Sequence, residues 1–476
     1  MTAVTRFHAP EPVPPPPPNL RDARALAELF VGFFRRDLQA FFPQCRFESP
    51  ADGLPPDGLK GGPRFRLNGE ADGTTAVELF GARHAVSPRT GGAFSEHDRR
   101  MIRAIGAVAG LRYYHLFQTG GPPRLELYRG GSEDHYVAAF VEPSAYALNA
   151  SRPSRIASTI HTLRTAALST YENRRVSTGA LLLGPGGAGP GGRPTPPDAL
   201  PYGVELTALK SIHRLCDGRR TLFLVDHDGK LAEIIEVDRW AAHASPPAGV
   251  VEAPCARVYA AHARATRAGG HVCLVLSPNQ EIKLFEAGAQ AFVFAHGRWR
   301  ILDPATKFAV WRGAVAADRV ATVLYQTALD LAESRLGGLL VVVNDPCEAV
   351  NRLIASHDIL SGEAPCGPPS ELTPGDPLAK RALHYLARGR DVRTTDPPVL
   401  EALAGIDGAL VTDRTGRIIA FGAILRHDAS LLPGPVTAEG ARTTAALVAS
   451  RFGPVLKVSE DGVVSCFLDG ARVWDL

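Results

Sequence analysis

Residues 339–343 read Leu-Leu-Val-Val-Val, an unbroken apolar run of strand length entered through two glycines. A strand made of such a run has no polar face to turn to water, so it must lie inside a sheet with helices covering both sides. The neighbouring sequence supplies those helices. Residues 318–335 carry Val320, Leu324, Ala328 and Leu331 at helical spacing, and further helices are read near 347–356 and 378–388, the latter leading toward 398–404. Residues 405–425 read as two strands joined at 413–416, after a Pro/Gly-rich excursion over 361–377. Helix and strand interleave, which predicts an α/β domain: a mixed sheet flanked by helices.

The chain has 476 residues, and at about 150 residues per domain that suggests roughly three domains. Residues 1–19 are a proline-rich, disordered lead, with Pro12 and the run 14–18 favouring stiff polyproline II. Residues 20–120 form a first part. Asn19 can cap a helix over 20–42 whose stripe is Leu26, Phe30, Phe33, Leu38 and Phe41. Strands follow around the turn signals Asn68-Gly69 and Asp72-Gly73, and Ser95 with Asp98 spells a capping box before another helix. Residues 121–312 form a second part. It has a helix near 156–172 and strands near 179–183, 221–225, 231–237, 272–276 and 291–294. Its Gly/Pro-rich stretch, 184–201, lacks the Lys-Ser/Thr of a phosphate-binding P-loop and reads as a flexible loop. Both parts are α+β. The last domain covers 318–476.

Composition narrows the function classes. With 52 basic and 49 acidic residues the net charge is +3, so no strong field calls for nucleic acid. The first eighteen residues have no apolar core of a secretory signal, and no run approaches a membrane span. A cytoplasmic protein is expected. Seven scattered cysteines, none in a metal or redox spacing, are expected to be reduced.

The chemistry concentrates in the last domain. Asp407-Gly408-Ala409 opens a strand, where a carboxylate can hold a divalent metal. Gly440-Ala-Arg442-Thr443-Thr444 opens a helix, whose N–H groups and guanidinium suit phosphate. Val458-Ser459-Glu460-Asp461-Gly462 is a strand end and turn. Together with Gly422-Ala-Ile424-Leu425, these motifs resemble, in order and spacing, the diadenylate cyclase family of nucleotidyltransferases.

The resemblance implies that two ATP molecules condense to cyclic di-AMP and pyrophosphate between the protomers of a homodimer or higher homo-oligomer. It implies Asp407 and Arg442 as catalytic residues. It implies Gly408, Ala409, Ile424, Leu425, Gly440, Arg442, Thr443, Thr444 and Ser459 around the nucleotide. Asp407 and Glu460 would hold a Mg or Mn ion. Many family members carry Arg-His-Arg where this chain has Arg442-Thr443-Thr444, a departure that fits either a subgroup variation or lost catalysis. The alternative to an enzyme is therefore a degenerate cyclase fold that binds and senses a nucleotide. His427 reads as a solvated or capping residue rather than a base.

Upstream, the strands leading into Phe94-Ser-Glu-His-Asp-Arg-Arg100 resemble the closing part of a GAF sensor domain. Residues 169–179 and 209–231 resemble the DACNV-type sensor that precedes the cyclase domain in one bacterial subgroup. These resemblances imply that an unidentified small molecule or protein signals through the N-terminal region.

Overall fold

The computed structural model describes residues 20–55, 63–69, 75–88, 93–118, 124–150, 152–185, 195–209, 212–244, 252–360, 380–426 and 440–476. The proline-rich lead, the turn signal Asp72-Gly73, residues 186–194 of the Gly/Pro stretch, the excursion 361–377 and His427 lie outside them. Contacts divide the chain into two units. One holds residues 1–236, 272–284 and 292–301; the other holds 237–271, 285–291 and 302–476.

In the first unit, helix Leu20–Phe41 buries Ala27, Phe34, Leu38 and Phe41, while Phe33 stays 40% exposed. The buried stripe therefore passes through Phe34 and not Phe33, one residue on from the sequence reading. A four-stranded antiparallel sheet follows in the order Arg46–Glu48, Ala82–Ser87, Thr75–Leu79, Arg66–Gly69. Asn68 and Gly69 are strand residues paired with Ala76 and Thr75, not a turn. Ser95 does cap helix Glu96–Phe117: its Oγ accepts from the Asp98 N–H at 3.1 Å, and Asp98 accepts from the Ser95 N–H at 3.1 Å. Strand Thr178–Leu182 pairs antiparallel with Val272–Leu276 and parallel with Thr221–Val225, which pairs antiparallel with Leu231–Glu236.

The second unit is built on a six-stranded mixed sheet. Its order is Ile418–Ala423, Ala409–Asp413, Gly338–Val343, Val455–Val458, Val464–Leu468, Ala471–Asp475. Every residue of Gly338–Val343 is buried, as the apolar run demands. That strand pairs parallel with Ala409–Asp413 and antiparallel with Val455–Val458. The parallel step needs a long crossover, and helices Pro346–Arg352 and Pro397–Ala404 lie within it. Asp345 starts the first of these by accepting from the Cys347 and Glu348 N–H groups at 2.8 and 3.2 Å. Helix Asp318–Glu333 buries Val320, Leu324, Ala328 and Leu331 as its spacing predicts.

Five cysteines (Cys45, Cys216, Cys255, Cys273 and Cys466) are free thiols, and burial pushes Cys216 and Cys466 up to about 12. Cys347 departs from the expectation of reduced thiols, because it is disulfide-bonded. Among the described residues no helix is long and apolar enough to cross a membrane.

Within the second unit, segment 255–259 lies along one face of helix Asp318–Glu333. The face is marked by Gln326, Asp330 and Glu333, spaced four and three residues apart. Gln326 donates to the Cys255 carbonyl, and the Tyr259 hydroxyl donates to Glu333 at 3.0 Å. Asp330 accepts from the Arg257 N–H at 2.6 Å and from its guanidinium, which also reaches Glu401 at 2.8 Å. Burial pushes the Asp330 carboxyl from the ordinary 3.8 up to about 6; Arg257 pulls the other way and Glu401 adds to the rise.

The folded chain thus keeps this proton between about pH 4 and pH 6, where the unfolded chain has released it. The resulting stabilisation is complete below about pH 4 and is lost as pH rises through about 6. Asp330→Asn cannot titrate. The melting temperature of the wild type, relative to Asp330→Asn, is therefore expected to fall between pH 4 and 7 and level off above. A difference that stays flat over that range would contradict the raised value.

Candidate functional site

Sheet register gathers the motifs. Strands Gly338–Val343 and Ala409–Asp413 run parallel, so their starts, beside Gly337 and Gly408, share one sheet edge. Val458 pairs with Gly338 and Ala423 with Ala409 in antiparallel ladders, which brings Ser459 and Ile424 to the same edge. Four segments separated by up to 120 residues thus end together. This is the amino edge of the parallel pair, opposite to the carboxyl edge where open α/β sheets usually bind ligands.

Arg442, in the first turn of helix Ala441–Ala449, closes the group. Its guanidinium donates to Asp407 at 3.0 Å and to Glu460 at 3.2 Å. It lies over Gly337, where a Cβ would come within 2.0 Å of Nη1. Asp407 is 95% and Glu460 72% exposed at the side chain. Such exposed pairs contribute at most about 1 kcal/mol each, so the guanidinium can exchange either carboxylate for a phosphate oxygen at little cost.

The other expected residues take varied places. Gly408 has φ +112°, and a Cβ there would lie 2.3 Å from the Gly422 carbonyl carbon. Its lack of a side chain serves the approach of two strands. Ala409 is buried in the core. Ile424 is 59% exposed, with its N–H donating to the buried carboxylate of Asp358 at 2.7 Å. Leu425 faces inward and bridges to Ile354.

Gly440 precedes the helix and accepts from the Thr443 and Thr444 N–H groups at 3.1 and 3.2 Å. Two of the N–H groups expected to cradle phosphate are therefore engaged by backbone. Thr444 is half-buried. Thr443 is buried, its hydroxyl accepting from Lys457 Nζ at 2.9 Å. The Ser459 N–H donates to Val463 at 2.9 Å, and the Ser459 carbonyl accepts from Gly462 at 3.0 Å, a tight hairpin turn.

Sequence reasoning missed Gly337, Asp358 and Lys457. Lys457 sits on a strand between two apolar residues, and its position beside the helix start follows only from sheet pairing. Among the described residues no group of three or more His, Cys, Asp or Glu side chains could hold a metal ion. Two exposed carboxylates do suit a Mg-type ion, which takes the rest of its shell from water and phosphate.

The fold and site thus define an α/β domain with a charged cluster at one sheet edge. No family model matches the chain, and no curated protein matches it. Among solved structures, a hypothetical membrane-spanning protein from Bacillus cereus is 21% identical, covering 35% of this chain and 69% of its own, with a TM-score of 0.24. DacA from Staphylococcus aureus, a double mutant, is 20% identical, covering 33% and 87%, with a TM-score of 0.20. Likenesses this distant carry no argument.

Gly408→Ala is expected to destabilise the protein by about 2–4 kcal/mol, because the added methyl meets backbone and the left-handed φ strains it. Urea unfolding should show a lower midpoint with an unchanged slope.

Proposed function

We propose that residues 318–476 form a diadenylate cyclase domain that condenses two ATP molecules to cyclic di-AMP, with the upstream region as its sensor. The observation that carries this reading is the meeting of Asp407, Arg442 and Glu460 at one sheet edge from three separate stretches of sequence. In the reaction the 3′-hydroxyl oxygen of one ATP forms a bond to the α-phosphorus of the other and gives up its proton to solvent. The bond to the pyrophosphate oxygen breaks, and a second such step closes the ring and releases a second pyrophosphate. The protein's part is positioning and charge neutralisation.

Arg442 leaves its carboxylates for the phosphates, donating from two nitrogens. Asp407 and Glu460 would hold the divalent ion, Mg or Mn, which when bound neutralises phosphate charge. Gly440 leaves the helix start open, without a capping side chain. Exposed Ile424 offers apolar surface beside the edge. Reaction between two nucleotides calls for a second copy of the chain, so a homodimer is part of the reading. The signal at the N-terminal region is a small molecule or a protein.

One observation favours a nucleotide sensor instead. The helix start carries Thr443 and Thr444, so Arg442 is its only cation. Lys457 answers this in part, because it brings a second cation against Thr443.

Purified protein given ATP with Mg²⁺ or Mn²⁺ is expected to release pyrophosphate and cyclic di-AMP. Asp407→Asn should lower that rate on the order of a hundredfold or more while the fold persists. Full activity in a folded Asp407→Asn protein refutes the reading.

Lys457→Met is expected to weaken ATP binding roughly tenfold to a hundredfold, the usual worth of a charge-assisted contact. Calorimetric titration reads this directly. If ATP binds but no product forms, the sensor reading stands in place of the enzyme.

A further inference from the structure

The cluster at the sheet edge rests on the ends of two helices, and a single guanidinium ties those helices together one turn earlier. Arg257 Nη1 donates both to Asp330, on helix Asp318–Glu333, and to Glu401, on helix Pro397–Ala404. The Asp330 side chain is only 8% exposed. Neither acid touches Asp407, Arg442 or Glu460 in the contacts described above.

The backbone carries both anchors into the site. The Glu401 carbonyl accepts from the Gly405 N–H at 2.8 Å, which ends its helix two residues before Asp407. On the other helix, Leu331 follows Asp330, and its carbonyl accepts from the Leu336 N–H at 2.9 Å. The next residue is Gly337, which underlies the Arg442 guanidinium. The two helix ends meet at Gly338, where a Cβ would lie 3.0 Å from both the Ala404 carbonyl oxygen and Leu331 Cδ1. A Cβ at Gly462 would lie 3.3 Å from the Ala332 carbonyl oxygen, so the turn bearing Glu460 packs on the same helix end. A shift of one helix against the other would therefore move Asp407, Arg442 and Glu460 relative to one another.

We propose that Arg257 is a positioning residue for the Asp407–Arg442–Glu460 cluster. Held in segment 255–259, upstream of the sheet, it clamps the two helices whose ends set the spacing of the cluster. The segment has two further attachments to the same helix, through Gln326 and Glu333, so its placement follows the helix face and not one contact. Arg257 touches no group of the cluster and acts through Glu401 and Asp330. For its effect on turnover the inference rests on the cyclase reading, whereas the mechanical role does not.

The test uses the full chain and three proteins: wild type, Arg257→Gln and Arg257→Lys. Because one nitrogen serves both acids, a lysine ammonium can replace it, so Arg257→Lys should behave like wild type. In Arg257→Gln, hydrogen exchange of amides 405–410 and 440–444 is expected to quicken roughly tenfold while strand Val464–Leu468 keeps its protection. With ATP and Mg²⁺, kcat should fall roughly tenfold while KM moves little, the pattern of a lost transition-state arrangement. Unchanged exchange at the site overturns the proposal. So does an equal quickening across the whole sheet, which would mark Arg257 as a general stabilising residue. If the wild type neither binds ATP nor forms product, the cyclase reading fails, and the exchange comparison alone decides the positioning role.

Discussion

The parallel pairing of Gly338–Val343 with Ala409–Asp413 is the constraint on which the C-terminal unit depends. Leu340 lies opposite Leu410 and Val343 opposite Asp413. Both strands are apolar almost throughout and buried on both faces, so burial holds the pair inside the sheet. Because the strands are parallel, the chain between them must return across the sheet, carrying helices with it. The return leaves the starts of the two strands, at Gly338 and Ala409, at one end of the sheet. Without that pairing, Asp407 and Arg442 would have no common address.

The electrostatics of the cluster follow from where the edge lies. Arg442 stands between two exposed carboxylates, which balance it but are themselves well hydrated. Weak exposed pairs of this kind exchange partners readily. Buried Asp358 contrasts with it. That carboxylate accepts from the Ile424 N–H and fixes the backbone that leaves strand Ile418–Ala423. The exposed cluster and the buried framework carboxylate are thus separated by solvent exposure within one domain.

Segment 237–271 changes the meaning of the upstream chain. It belongs to the same compact unit as the C-terminal sheet, and Arg257 attaches it to both Asp330 and Glu401. The clamp sets one guanidinium against two carboxyl groups. Burial of Asp330 makes it sensitive to mild acid.

Much of this was legible in the amino-acid order. The run Leu339–Val343, the helical spacing of Val320, Leu324, Ala328 and Leu331, and the capping box at Ser95 and Asp98 are local patterns. Local physics decides them: side-chain periodicity and nearby hydrogen bonds need no distant partner. Motif positions at Asp407, Arg442 and Glu460 could likewise be named from the sequence. What it could not supply was partnership. That Arg442 bridges two carboxylates over Gly337, and that Lys457 reaches Thr443, depends on strand order and register across long stretches of chain. The shift of the first helix's buried stripe from Phe33 to Phe34 has a similar cause, since both residues are aromatic and only the neighbouring elements select which one turns inward. No local pattern singles out Arg257; tertiary packing sets it between Asp330 and Glu401. Those contacts span 73 and 144 residues, and no sequence period encodes a separation that only the folded sheet brings to hydrogen-bond distance.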